Sequence, residues 1–460
     1  MNAIDNYYFK SFTDFSKSFY DWERIFINLG CSESDINILS PSENLTEDGK
    51  KVFSVLVHEY IHFLQNFSSA WGAPIYSDFI LSYMKIGSSS AISNKIINIP
   101  IEIKNIDNDL LKDGFLLRKD TLTRLNTYSK YIYNKFIDLS KIVEINQNDK
   151  CIVLTNGRIT LELGVKVIRE HMAHLGTQLF LGKSDIKINE INERIFVDNS
   201  NIPFSIKPEY WIIFEYFYSL NKFSNTARGL LKLMQICLST LKPEKTILLF
   251  FRWFDINTKN FSEGNDFIIL INSWLKSSDI QHNMNNDLEI SIGHCECVLV
   301  PIIKHLEEND IFKFTRDIIN FSITNLRKTK GGIDLYKDND NFEDILYWKN
   351  IIYKFGTGII KFNDKVVIQG SKDHCTSMKD SFMFLLSSSL IIKKIVENDL
   401  TDCPFLDEIP ICKANFRGIK DCISNPFYID NPENKEEKCL FRNGVFLLGL
   451  QDRLKQNNQY

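Results

Sequence analysis

The sequence predicts an α+β chain in which helix predominates. Three observations carry that expectation. Apolar residues recur at helical spacing through long segments, notably 46–69, 165–180 and 380–397. Runs of β character are few and short, the clearest being the pair that flanks Asn156-Gly157. Pro and Gly punctuate the helical stretches. With 460 residues, 44% hydrophobic and 24% charged, the composition is that of a globular protein of two or three domains, or of one large enzyme core.

Thr46 reads as a helix cap with Glu47 and Asp48 in the first turn, and the helix runs to about Ser69. Gly72-Ala73-Pro74 breaks it, and a second helical stretch follows to about Lys85. Ile97, Ile99, Ile101 and Ile103 alternate at the period of a strand, and Pro100 within the run makes that strand an edge. Residues 120–140 show helical spacing. Cys151-Ile152-Val153-Leu154 and Arg158-Ile159-Thr160-Leu161 read as a β-hairpin within 151–163. Gly164 ends it, and a helix runs from Val165 to Phe180. The polar segment 183–205 is a loop. Several helices follow over 209–325, punctuated by Pro208, Pro243 and Gly293. A loop over 328–341, a small hairpin over 359–368 around Asn363-Asp364, and a helix over 380–397 complete the pattern. The expected units are an N-terminal segment (1–45), a catalytic core (46–185), a helical region completing a cleft (186–397) and a Cys-rich element (398–460).

A net charge of −4 leaves no footprint for nucleic acid or an anionic membrane. The first residues, Met-Asn-Ala-Ile-Asp-Asn-Tyr-Tyr, lack the basic and apolar regions of a signal peptide. The longest apolar candidate, 246–254, is short and contains Arg252. A cytoplasmic protein is expected. In a reducing compartment its 10 Cys serve as buried thiols or metal ligands more often than as disulfides.

His58-Glu59-Tyr60-Ile61-His62 carries the chemistry. On a helix, positions i and i+4 lie one above the other, so both imidazoles aim at one point, as a zinc ion requires. Glu59 stands beside them, where a carboxylate polarises a metal-bound water. The bland reading is a core helix with two partly buried histidines. Three ionisable residues in an apolar helix are costly to bury without partners, and a metal satisfies all of them. Two histidines leave zinc one protein ligand short.

His58-Glu59-x-x-His62-x-x-Gln65, taken with the helix that holds Glu170, resembles a zincin metallopeptidase of gluzincin type over residues 46–180. The metzincin continuation fails, because Gln65 and Ser68 occupy its Gly and final His positions. The resemblance implies a third ligand on a later helix. Glu170 with Ala173 matches the gluzincin E-x-x-A form, and Ala173 lets that helix pack closely on the motif helix. Some gluzincins place an Asp four residues after the Glu to orient a ligand histidine. Here His174 stands, as an orienting residue, as the ligand in place of Glu170, or as a structural residue; His171 is a further candidate. The resemblance also implies a catalytic zinc, Glu59 as general base, an extended protein or peptide substrate paired to an edge strand, for which 151–163 is available, and an oxyanion donor, for which Tyr210, His282 and His294 are available.

Cys403, Cys412, Cys422 and Cys439 crowd into the last stretch in turn-like contexts. Four thiolates suit a second, structural zinc; without CxxC knuckles, reduced buried thiols are the near alternative and disulfides the lesser one. His294-Cys295-Glu296-Cys297 would point around a helix rather than at one ion, and His374-Cys375 reads as structural. The expectation is a zinc metallopeptidase. The rivals are a zincin-derived binding or regulatory module without hydrolysis, and a protease effector or toxin controlled by a regulatory protein partner.

Overall fold

In the computed structural model of the protein, the described residues fall within 18–182, 213–303, 310–331 and 342–397, each range with short omissions, together with 445, 448 and 454–456. Helix predominates, with a few short strands. Among the described residues, no helix is long and apolar enough to cross a membrane.

Helix α1 (Glu47–Phe67) carries the histidine motif. Phe53, Leu56, Tyr60, Ile61, Phe63 and Leu64 are all fully buried, so the helix is covered nearly all round, as its apolar sequence demands. Helix α2 (Gly72–Ile92) follows a tight turn. Gly72-Ala73-Pro74 therefore opens a helix. The chain breaks at residues 68–71 instead, and Pro74 sits in a first turn, where its missing N–H costs nothing. The turn is buried, and its main chain is satisfied from three directions. Trp71 N–H donates to the Leu238 carbonyl, Ser291 Oγ to the Ala70 carbonyl, and Thr329 Oγ1 to the Ser68 carbonyl.

Helix α3 (Asp109–Leu125) is capped by Asn108, whose Oδ1 accepts from Leu111 N–H. It stops short of the expected 120–140 helix. Tyr131-Ile132-Tyr133 forms a strand, because this aromatic and β-branched triplet finds a partner in the sheet. The strands are β1 (Phe19–Asp21), β2 (Phe26–Asn28), β3 (Ile97–Ile99), β4 (Tyr131–Tyr133), β5 (Val143–Ile145), β6 (Cys151–Thr155) and β7 (Ile159–Leu163). The expected hairpin is β6-β7. It lies inside a four-stranded sheet of order β4-β7-β6-β5, so its strands are central and the expected edge strand at 151–163 is not one. Strand β3 realises part of the expected run at 97–103, and its residues 100 and 101–103 lie outside the described ones.

Helix α4 (Val165–Phe180) leaves β7 through Gly164 and packs along α1. Ala173 is buried there, and one turn on, at Gly176, an added Cβ would lie 2.3 Å from Ile61 Cδ1. Beyond lie β8 (Phe223–Ser224), α5 (Thr226–Leu238), α6 (Pro243–Asn257), β9 (Asn265–Asp266), α7 (Phe267–Ser277), α8 (Ile280–Ile303) and α9 (Asp310–Thr329). Pro243 opens α6 as expected. Gly293 interrupts nothing and sits inside α8. A helix not legible in the sequence, α10 (Ile345–Phe355), is capped by Asp344 through Leu346 N–H. The expected small hairpin, β10 (Gly358–Lys361) and β11 (Val366–Gln369), precedes α11 (Met378–Glu397). Strand β2 pairs parallel to β10, so the second sheet has the order β1-β2-β10-β11 with β1 at its edge. A last strand, β12 (Leu454–Gln456), pairs with β3. One apolar cluster runs through these elements, from Phe26 to Leu448.

Candidate metal centre

Helices α1 and α4 place three donors around one point. His62 Nε2 lies 3.2 Å and His58 Nε2 3.8 Å from the same atom, Glu170 Oε2. The ligand atoms of all three lie within 4.8 Å of one another, a group able to hold a metal ion. Zinc bonds of about 2.0–2.1 Å in a tetrahedron set neighbouring ligand atoms about 3.3 Å apart, so the set fits zinc with little movement. Two imidazoles and one carboxylate are also the donor chemistry of a zinc site that keeps a position for water. The side chains of His58, His62 and Glu170 keep 17%, 8% and 22% exposure, so solvent reaches the point where they meet.

Burial sets the charges of the group. Desolvation, helped by neighbouring His62, pushes His58 down to about 3, so its ring is neutral, the form a metal accepts. Burial works against the Glu170 carboxylate too, but the charge and hydrogen bond of His62, with His58 and Arg169, outweigh it and hold its pKa well below the usual carboxylate range. The same pairing outweighs burial at His62 and raises its pKa. Glu59 stands apart. Burial pushes it up to about 7, and Glu170 adds to the rise; His62 and the main-chain N–H of Tyr20 pull the other way. A carboxyl near 7 is poised to take and return a proton at neutral pH.

His174 lies one turn beyond Glu170, half-buried and near enough to depress the basicity of His58. It is not among the three converging donors. His171 is buried. Two further histidines of the described residues stand elsewhere. His294 Nε2 meets Asp78 Oδ1 at 2.7 Å, beside Arg124, and His282 is exposed on α8. Around α8 the donors disperse as expected: Cys295 accepts from Ser77 Oγ, Glu296 pairs with Arg327, and Cys297 is exposed. Tyr210, His374, Cys375 and the four cysteines Cys403, Cys412, Cys422 and Cys439 lie outside the described residues.

Two features of the site were not read from the sequence. The strand beside the motif helix is β1, whose Tyr20 donates its main-chain N–H to Glu59 and accepts from Asn66 Nδ2 through its hydroxyl at 3.0 Å. The other feature is Gln65, which contacts His62 at 2.9 Å and Arg169 on α4. Its signal in the sequence was the i+3 spacing from His62, which puts both on one face of α1. No family model, curated protein or solved structure matches this chain.

Proposed function

We propose that the protein is a zinc-dependent metallopeptidase of gluzincin type, with a protein or peptide as substrate. The observation that carries this reading is the convergence of His58 Nε2, His62 Nε2 and Glu170 Oε2 with a buried, proton-accepting Glu59 beside them. His58, His62 and Glu170 would hold the zinc. Bound there, it supplies Lewis acidity to a water and to the carbonyl under attack. Glu59 takes a proton from the attacking water as the new C–O bond forms, and gives it to the amine as the C–N bond breaks. Strand β1, at the edge of its sheet and against the motif helix, offers main-chain groups to an extended substrate. A purely structural zinc is closed by four protein ligands and has no use for a neighbouring base, which favours hydrolysis over a non-catalytic module.

The test is zinc content by mass spectrometry after loading and dialysis, followed by hydrolysis of a denatured protein substrate. Wild type should retain one zinc at this site, and Glu59→Gln should retain it while losing about 10²–10⁴-fold in rate. A wild-type protein that retains no zinc, or a Glu59→Gln variant as active as wild type, defeats the reading.

A further inference from the structure

We propose that Gln65, clamped by Arg169, holds a proton on His62 Nδ1 and so presents Nε2 to the metal, which makes Gln65 and Arg169 positioning residues of the metal centre. The inference rests on reading His58, His62 and Glu170 as the zinc site.

A carboxamide has a donating and an accepting end, and here both are assigned by neighbours that have no choice. The main-chain carbonyl of Arg169 only accepts, and it lies 3.0 Å from Gln65 Nε2, which is therefore the NH₂ end. Arg169 Nε–H only donates, and it lies 3.1 Å from Gln65 Oε1, which is therefore the carbonyl. His62 Nδ1, 2.9 Å from that same oxygen, must face it with a proton. Nδ1 is thus occupied, and Nε2, which hydrogen-bonds Glu170 Oε2 at 3.2 Å in the metal-free protein, is the nitrogen left to give up its proton to a metal.

The clamp is rigid because every member is buried and held. Gln65 and Asn66 are fully buried. The Arg169 guanidinium lies 5.3 Å over the Trp71 ring and donates from Nη2 to Asn66 Oδ1 at 3.3 Å, and Asn66 donates to the Tyr20 hydroxyl. Arg169 also immediately precedes Glu170. One amide thus orients the ring of His62 and ties α4 to α1 at the level of the carboxylate ligand.

Two variants separate orientation from packing. Gln65→Met fills the space without an acceptor; Gln65→Glu keeps an acceptor for both His62 Nδ1 and Arg169 Nε. The first readout is the ¹⁵N shifts of the His62 ring in zinc-loaded protein. The second is zinc affinity by competition with a chromophoric chelator. Wild type should show a protonated Nδ1 and a zinc-bound Nε2. Gln65→Met should bind zinc about 10–100-fold more weakly, and Gln65→Glu should stay within a few-fold of wild type. A wild-type ring bound to zinc through Nδ1, or a folded Gln65→Met variant with unchanged affinity, overturns the inference. Should Gln65→Met not fold, the wild-type shifts and the Gln65→Glu affinity decide it. A wild-type protein that binds no zinc, yet whose metal-free His62 ring keeps a slowly exchanging Nδ1–H that Gln65→Met lacks, upholds the orientation and sinks the zinc reading instead.

Discussion

Glu59 should cost the metal-free protein stability, and the cost can be dialled by pH. Its carboxyl is 9% exposed and sits near a second carboxylate, Glu170, with the Tyr20 main-chain N–H as a neutral donor. These surroundings raise it from an ordinary 4.5 to about 7. The sign follows from linkage. Below about 4.5 the group is protonated in both folded and unfolded chains and contributes nothing. Between 4.5 and 7 the folded chain holds the proton longer, so stability falls as pH rises. Above 7 the full penalty is present, about 3 kcal/mol. Glu59→Gln removes the ionisation and keeps an oxygen for Tyr20 N–H. At about 2.1 cal/mol/K per residue, a chain of this length changes its melting temperature by roughly 1 °C per kcal/mol. In excess chelator, calorimetry at about pH 8 should therefore place Glu59→Gln about 3 °C above wild type, and at about pH 4 the two should coincide. Parallel curves from pH 4 to 8 would refute the reasoning, because the carboxyl would then be no worse solvated folded than unfolded.

Other outcomes follow from the packing. Gly72→Ala should be severely destabilising, by about 3 kcal/mol or more in denaturant unfolding, because its Cβ would lie 2.0 Å from the Gln65 carbonyl oxygen, a main-chain atom that cannot swing away. Gly293→Ala, with open space around its Cβ, should instead stabilise α8 by about 0.5–1 kcal/mol. At Asp78, burial opposes ionisation, but hydrogen bonds from His294 and Arg124 outweigh it and lower the carboxyl. Its contribution is thus present above the ordinary carboxylate range and lost as pH falls through the lowered value, so Asp78→Asn should cost about 1–3 kcal/mol at pH 7 and progressively less in acid unfolding. Tyr60→Phe should cost about 1 kcal/mol by removing the 2.8 Å bond to the Gly356 carbonyl, with zinc content unaltered.

What was legible in the sequence was local. The i, i+4 histidines and the neighbouring Glu sit on one helix, and the E-x-x-A pattern on another lies just after a hairpin that the dipeptide Asn156-Gly157 announces in the sequence; each needs only a few residues of context. What was hidden depended on partners far along the chain. The hairpin strands are central because Tyr131-Ile132-Tyr133 pairs with β7, a pairing that no periodicity in 120–140 announces. Strand β1 reaches the site because β2 pairs with β10 near the other end of the chain. Helix α10 escaped notice because Ile345, Tyr347, Trp348, Ile351 and Ile352 suit strands as well as helices, and burial against the core decided for helix. Gln65 was read as part of the motif and as a departure from the metzincin pattern, but without a role, since that role needs Arg169 beside it.

The residue at 174 shows why an amide suits this site. An Asp was expected there to orient a ligand histidine, and a carboxylate would do so without help, since either oxygen accepts. An amide orients only if its other end is occupied, which is what the Arg169 carbonyl supplies, and Arg169 needs Trp71 and Asn66 to hold it in turn. That is a larger construction for the same bond. Its advantage is electrostatic. Glu59 and Glu170 already place two carboxyls in one buried space, and burial together with Glu170 has raised Glu59 to about 7. A third carboxylate against His62 would raise it further, towards a base that is protonated at neutral pH and cannot accept. Gln65 aligns the ring and adds no charge, leaving Glu59 near the pH at which it would have to work.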